Sequence, residues 1–170
     1  HLHLPLQSGS DSVLRRMSRR CFTSEYRELA RSLRASIPGL NLTTDLIVGF
    51  PGETEDEFAD SLRFAEEMRF GHMHIFGFSA REGTRPATRP GRVPGPRRPE
   101  RSRAMHRLAA RMKAERMREH LGSERSVLWE GGAQDNDGMV RFQGYTDNYL
   151  RVETRVQPNR RLQHSITQAL

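Results

Sequence analysis

The sequence predicts an α/β fold with parallel strands over its first 80 residues, then a connecting helix and a small antiparallel β-domain. Three observations carry this. The apolar period switches between strand and helix several times before Ser79. A stretch rich in Pro, Gly and Arg, from Arg81 to Pro99, separates that region from a run of helical period. Beyond Gly122, short alternating runs are divided by turn residues. The resulting boundaries are 1–98, 99–121 and 122–170. At 170 residues and 19.6 kDa the chain has room for one domain or one and a half.

Leu2 to Leu6 is a short strand, and Asp11 to Met17 a short helix with Val13, Leu14 and Met17 on one side. Ser24 to Ser36 is a longer helix, striped by Tyr26, Leu29, Ala30, Leu33 and Ile37 and stopped by Pro38-Gly39. Leu42 to Gly49 is a strand whose Leu46-Ile47-Val48 run suits burial on both faces. Phe50-Pro51-Gly52 turns the chain out of it. Thr54 and Glu57 form a capping box for a helix running to about Arg69, with Glu53, Glu55 and Asp56 at its positive end. Met73 to Ser79 is a third strand. A helix from about Pro99 to His120 carries Met105, Leu108, Ala109 and Met112 on one face. Ser126 to Glu130, Met139 to Gln143 and Tyr149 to Val156 are the strands of the β-domain. The polar tail from Gln157 to Leu170 does not read as closing strands, so that domain is expected to be incomplete. Three strands alternating with helices leave a bare sheet edge, and the sequence reads as lacking an N-terminal portion that would cover it.

Charge narrows the partners. Residues 1–80 carry a net −2, residues 81–120 a net +9 and residues 121–170 a net zero, so the overall +7 is one basic block. Such a block is either a solvated linker and helix or the footprint of a polyanion. The single cysteine, Cys21, excludes a disulfide framework and any multi-cysteine metal or iron–sulfur site built from these residues alone. No window approaches the roughly 18 apolar residues of a membrane span. The chain is expected to be cytoplasmic, with no membrane partner.

Three segments follow the predicted strands, where parallel α/β folds place ligands. Gln7-Ser8-Gly9-Ser10 offers amide and hydroxyl groups suited to a ribose or an amino-acid head, or is a polar turn in which Ser10 or Asp11 caps the next helix. Gly49-Phe50-Pro51-Gly52 leads from a buried strand into a capped helix, so that backbone amides at the helix start can meet a ligand, or is a tight turn and no more. Phe76 to Thr84 ends the third strand with Arg81. Convergence of the three on one rim favours function for the set. His1 and His3 lie two apart on one strand face, but without an acidic or cysteine partner nearby in sequence they define no metal site. In the β-domain, Gly144 to Val152 interleaves Tyr145 and Tyr149 with Asn148 and Arg151, a composition suited to stacking on bases and touching phosphate; Tyr149 in the core and Tyr145 in strand pairing are the structural alternative.

Read together, His3-Leu4-Pro5-Leu6-Gln7-Ser8-Gly9-Ser10, Thr44 to Thr54 and Ser79-Ala80-Arg81-Glu82-Gly83-Thr84 resemble, in order and spacing, the radical-SAM methylthiotransferases. His74-Ile75-Phe76 and Gly144 to Tyr149 are most similar to the branch that methylthiolates N6-threonylcarbamoyladenosine beside the tRNA anticodon. The likeness covers roughly residues 1–156. It implies the C-terminal half of a radical-SAM partial TIM barrel followed by a TRAM-like β-barrel that binds RNA. It further implies S-adenosylmethionine and two [4Fe-4S] clusters whose cysteine ligands are absent from this chain, so that this chain alone is expected to be inactive. By the same resemblance Gln7 and Ser8 lie at the ribose or amino-acid end of S-adenosylmethionine. Gly49, Phe50, Pro51 and Gly52 line it through backbone groups, and Asp45 orients that strand's rim. Arg81, Tyr145, Asn148, Tyr149 and Arg151 would face the tRNA anticodon stem-loop, and the remaining partner is the N-terminal part of the same polypeptide. No catalytic or metal-binding residue is assigned. Phe78 and Ala80 depart from the Tyr and Pro usual in the family. Rival expectations are a non-catalytic RNA-binding protein, or a sister enzyme acting on isopentenyladenosine tRNA or on a ribosomal-protein aspartate.

Overall fold

Proline at position 5 cannot donate to a ladder, and the first strand is accordingly short: β1 is Leu2–His3. In the computed structural model, which describes residues 1–80, 83, 91, 93 and 95–169, it is followed by α1 (Asp11–Arg16), α2 (Thr23–Ser36), β2 (Leu42–Val48), α3 (Glu55–Met68), β3 (His72–Gly77) and α4 (Arg97–Arg118). Then come β4 (Arg125–Gln134), β5 (Val140–Thr146), β6 (Arg151–Val156) and β7 (Ile166–Ala169). Arg81 and most of the Pro/Gly/Arg stretch lie outside the described residues. The chain forms two units, Leu2–Arg116 and Met117–Leu170, the latter together with His1. Among the described residues no helix is long and apolar enough to cross a membrane.

In the first unit β1, β2 and β3 form a parallel sheet in that order, with Leu2 opposite Leu42 and Asp45 opposite His74. Gln7 extends β1 by a bridge to Leu46. Along β2, Leu42, Thr44, Leu46 and Val48 face the core formed with Tyr26 and Ala30 of α2, Phe58, Phe64, Ala65 and Met68 of α3, and Met105, Leu108 and Met112 of α4. Removing one such leucine, Leu46→Ala for example, carries a cost of about 2–5 kcal/mol. The apolar run 46–48 is not buried on both faces as its composition suggests. Ile47 is half-buried, on the face that also bears Thr43, Asp45, His72 and His74.

Polar groups lock the elements together. The Tyr26 hydroxyl donates to the Leu4 carbonyl at 2.8 Å, and burial pushes its ionisation up to about 12. Glu57 caps α3 by accepting from the Thr54 amide while the Thr54 hydroxyl accepts from the Glu57 amide. The same carboxylate takes Arg16 and the Ser12 hydroxyl, 2.9 and 2.6 Å away, fastening α1 to α3. Gly9 lies where a Cβ would stand 2.8 Å from the Ser61 backbone, so only glycine lets the loop after β1 approach α3 this closely.

The second unit is a four-stranded antiparallel sheet in the order β6-β5-β4-β7. Val127, Trp129 and Phe142 make its core, flanked by Val140, Val152, Val156, Leu162 and Ala169. The tail does supply a strand: β7 pairs with β4, Arg125 opposite Ala169, and Trp129 donates its indole N–H to the Thr167 hydroxyl at 2.8 Å. Its sequence conceals this because β7 is an edge strand whose Ile166 is 70% exposed, so its apolar alternation is weak.

Candidate functional site

Two adjacent parallel strands end in left-handed backbone at the same rim. Gln7 has φ 76° and Gly49 φ 74°. The first is unusual for a side-chain-bearing residue, and such conformations cluster where ligands are held. Asp45 and Ile47 grip Gln7 on both sides: its amide donates to the Asp45 carbonyl at 2.8 Å and its carbonyl accepts from Ile47 at 2.9 Å.

The loop after β2 is tied from beneath by a buried ion pair. Glu53 accepts from the Gly49 amide at 2.8 Å and from Arg101 of α4 at 2.7 Å; Arg101 also donates to the Glu53 carbonyl at 3.0 Å and to Glu55 at 2.8 Å. The side chains of Arg101 and Glu53 are 4% and 1% exposed. Burial raises the Glu53 carboxyl above its usual range, opposed by the Gly49 N–H and by Arg101. Arg98, one turn earlier, packs its aliphatic stem against Gly49, where a Cβ would approach within 2.8 Å, and donates to the Phe78 carbonyl at 3.5 Å. Above this support lies a cleft of about 180 Å³ walled by Gly49, Pro51, Phe78, Val93 and Arg98. That is below the roughly 300–1,000 Å³ of a complete small-molecule pocket, so the described walls form only part of one.

The expected cofactor residues divide accordingly. Gln7, Gly49, Pro51 and Gly52 lie at the rim. Ser8 is buried against Ser61, 3.2 Å between hydroxyls, and also accepts from the Ser10 amide, so its hydroxyl shapes the loop. Phe50 is buried and packs edge-on to Phe78 at 5.2 Å. The amides of Gly49, Gly52 and Glu53 are already satisfied, by Glu53, Gly91 and Phe50 respectively, so they do not present the free donors expected at this turn. Asp45 sits in mid-strand below the rim, where its carboxylate meets His3 Nε2 at 3.3 Å.

That contact belongs to a cluster on the sheet face opposite the helices. The nearest donor atoms of His3, Asp45 and His74 lie within 4.8 Å of one another, whereas His1 is not among them. His72 stands edge-on to His74 at 4.7 Å, and burial, then His74, Lys113 and His3, hold its imidazole below the usual value. The alternation His72-Met73-His74 was the signal available in sequence: period two puts both imidazoles on one face. Arg101 offered no comparable signal among the many arginines of the basic block.

In the second unit, β5 and β6 are joined by a turn in which Tyr149 adopts φ 67°. The Thr146 hydroxyl donates to Asn148 at 2.6 Å and accepts from the Leu150 amide at 2.8 Å. Asn148 is thereby buried, its amide group 3.2 Å from His120, and it helps build the turn. Tyr149 is 55% exposed and stacks on Tyr145, centroids 4.7 Å apart and planes inclined by 20°. Arg151 is exposed beside them and donates to Gln143. Arg81 lies outside the described residues.

Cys21 is exposed and its thiol is raised by burial and by Glu25, so it is not an activated thiolate. One thiol cannot by itself hold an iron–sulfur cluster, and the residues present do not supply a full ligand set for one.

The Radical SAM superfamily matches residues 1–65. The chain is 36% identical over 152 residues to the threonylcarbamoyladenosine tRNA methylthiotransferase MtaB of Bacillus subtilis, covering 89% of this chain and 34% of that protein. It is 40% and 39% identical over 146 residues to the tRNA-2-methylthio-N(6)-dimethylallyladenosine synthases of Anoxybacillus flavithermus and Geobacillus kaustophilus, covering 86% of this chain and 27% of each relative. The chain thus spans between about a quarter and a third of the length of the curated relatives it matches. These colinear identities make the chain similar, over nearly its whole length, to one part of the tRNA methylthiotransferases, with its first 65 residues matching the Radical SAM superfamily.

Proposed function

We propose that this chain is the portion of a tRNA methylthiotransferase that completes the S-adenosylmethionine site and contacts tRNA, acting on N6-threonylcarbamoyladenosine at position 37. The observation that carries the reading is the pair of left-handed residues, Gln7 and Gly49, closing neighbouring parallel strands at one rim, since barrels of this kind bind ligands at the C-terminal ends of their strands. The residues fit part of that cofactor: Pro51, Phe78 and Val93 offer apolar walls to a purine, and Gln7 offers an amide at the same rim, beyond the neighbouring strand. When bound, S-adenosylmethionine supplies the methyl group and the means of abstracting hydrogen from the adenine ring. This chain's residues bind and orient. Arg101 and Glu53 hold the Gly49 loop in shape, and the Phe50–Phe78 contact seals its floor. In this reading the three strands are the second half of a partial barrel, the two [4Fe-4S] clusters are held by residues outside this chain, and the four-stranded unit is TRAM-like. The Tyr145–Tyr149 stack with Arg151 is the RNA-contacting face, suited to an unpaired base and its phosphate.

The identities of 39–40% to dimethylallyladenosine synthases favour a second reading, action on the isopentenylated adenosine. Mass spectrometry of tRNA nucleosides from a strain lacking the gene separates the two. Loss of methylthio from N6-threonylcarbamoyladenosine, with the unthiolated nucleoside accumulating, is the expected result. Loss from isopentenyladenosine assigns the sister activity, and an unchanged nucleoside profile overturns both in favour of non-catalytic RNA binding.

A further inference from the structure

The open face of the parallel sheet carries a donor set that neither the rim nor the RNA face uses. Asp45 and His74 are directly opposed across β2 and β3, and His3 projects from β1 onto the same face. His3 Nδ1 lies 2.9 Å from the Thr43 hydroxyl, which fixes the ring and turns Nε2 toward the Asp45 carboxylate 3.3 Å away. Ligating histidines are held in this way, one nitrogen oriented by a neighbour and the other turned toward the ligand cluster. An ion pair explains His3 and Asp45 but leaves His74, whose ring is 5.7 Å from that of His3, without a role.

We propose that His3, Asp45 and His74 form a binding site for a borderline divalent transition ion such as Zn²⁺, Co²⁺ or Fe²⁺, separate from any iron–sulfur cluster. Two imidazoles and one carboxylate suit such ions. Mg²⁺ and Ca²⁺ favour oxygen ligands throughout, and Cu⁺ favours sulfur. Bonds near 2.1 Å in a tetrahedral site space the ligand atoms by roughly 3.4 Å. The present spacing, within 4.8 Å, closes to that by side-chain movements of about an ångström. Three protein ligands leave a fourth position open to water or to an anionic oxygen of a bound molecule.

The test is a Co²⁺ titration of the full chain, followed by visible ligand-field absorption and by competition with Zn²⁺. Folding of each variant is checked by circular dichroism. Saturable binding of one ion, weakened about 100-fold or more by Asp45→Asn and by His74→Gln, about tenfold by Thr43→Val and not at all by His106→Gln on the exposed face of α4, supports the site. If no saturable absorption develops, or if Asp45→Asn and His74→Gln both bind Co²⁺ as tightly as the unaltered chain, the site does not exist. The readout is metal occupancy, so its outcome is independent of whether tRNA is the substrate.

Discussion

The Gly49 loop and the Tyr149 turn both place left-handed backbone at a candidate binding surface, and they achieve it by opposite means. At Gly49 the conformation costs little because there is no Cβ, and a buried ion pair, Glu53 with Arg101, holds the loop from below. At Tyr149 a full aromatic side chain occupies a conformation that costs about 1–2 kcal/mol, and a neutral cage of Thr146 and Asn148 hydrogen bonds maintains it. The first design protects a backbone surface; the second holds a half-exposed ring stacked against Tyr145 and His1. Changes at the rim loop should therefore disturb folding, whereas changes at the turn should leave it largely intact.

The largest effect that sharpens this contrast is expected at Arg101. Arg101→Met strands the Glu53 carboxylate in the interior and costs about 3–5 kcal/mol in urea unfolding, while the double variant with Glu53→Gln recovers much of the loss. Equal instability in the single and double variants would show that Arg101 matters for packing alone.

Gly49→Ala is next, at about 1–2 kcal/mol, because the added Cβ stays in left-handed backbone while the flexible Arg98 side chain that it meets moves aside. A neutral substitution would mean that the loop tolerates a different conformation and is not held as described.

The smallest effect is a pH dependence within the first unit. Burial by itself would raise the Glu57 carboxyl; hydrogen bonds from Arg16, Ser12 and the Thr54 amide outweigh it and bring it down to about 2. A carboxyl lowered on folding contributes stability that is present above its ordinary value near 4.5 and is lost as pH falls toward 2. Urea midpoints measured across that interval should decline with acid in the unaltered chain and more shallowly in Glu57→Gln. Parallel curves would remove Glu57 from the account.

Much of the fold was legible because its signals are local. The Thr54–Glu57 capping box, the Pro38-Gly39 stop and the stripe of Met105, Leu108 and Met112 each lie within a few turns of one helix, and each appears where the period places it. The β7 strand was hidden because an edge strand buries too little apolar surface to enforce alternation. At the site, sequence located the rim loops but not the duties of individual residues. Ser8 and Asn148 have the polarity of ligand contacts, yet their partners are Ser61, 53 residues away, and the turn containing Thr146. Arg101 and Glu53 are 48 residues apart, and the His3–Asp45–His74 cluster draws on three strands. Only parallel pairing joins such groups, and no local pattern encodes it.

The separation of folding from recognition is tested most directly by measuring, on one preparation of Tyr149→Ala, both urea stability and affinity for an anticodon stem-loop at fixed salt. The account predicts stability within about 0.5 kcal/mol of the unaltered chain and RNA affinity reduced about tenfold or more, as befits a lost base stack. Unchanged RNA affinity, or a loss of stability comparable to that of Arg101→Met, would contradict it.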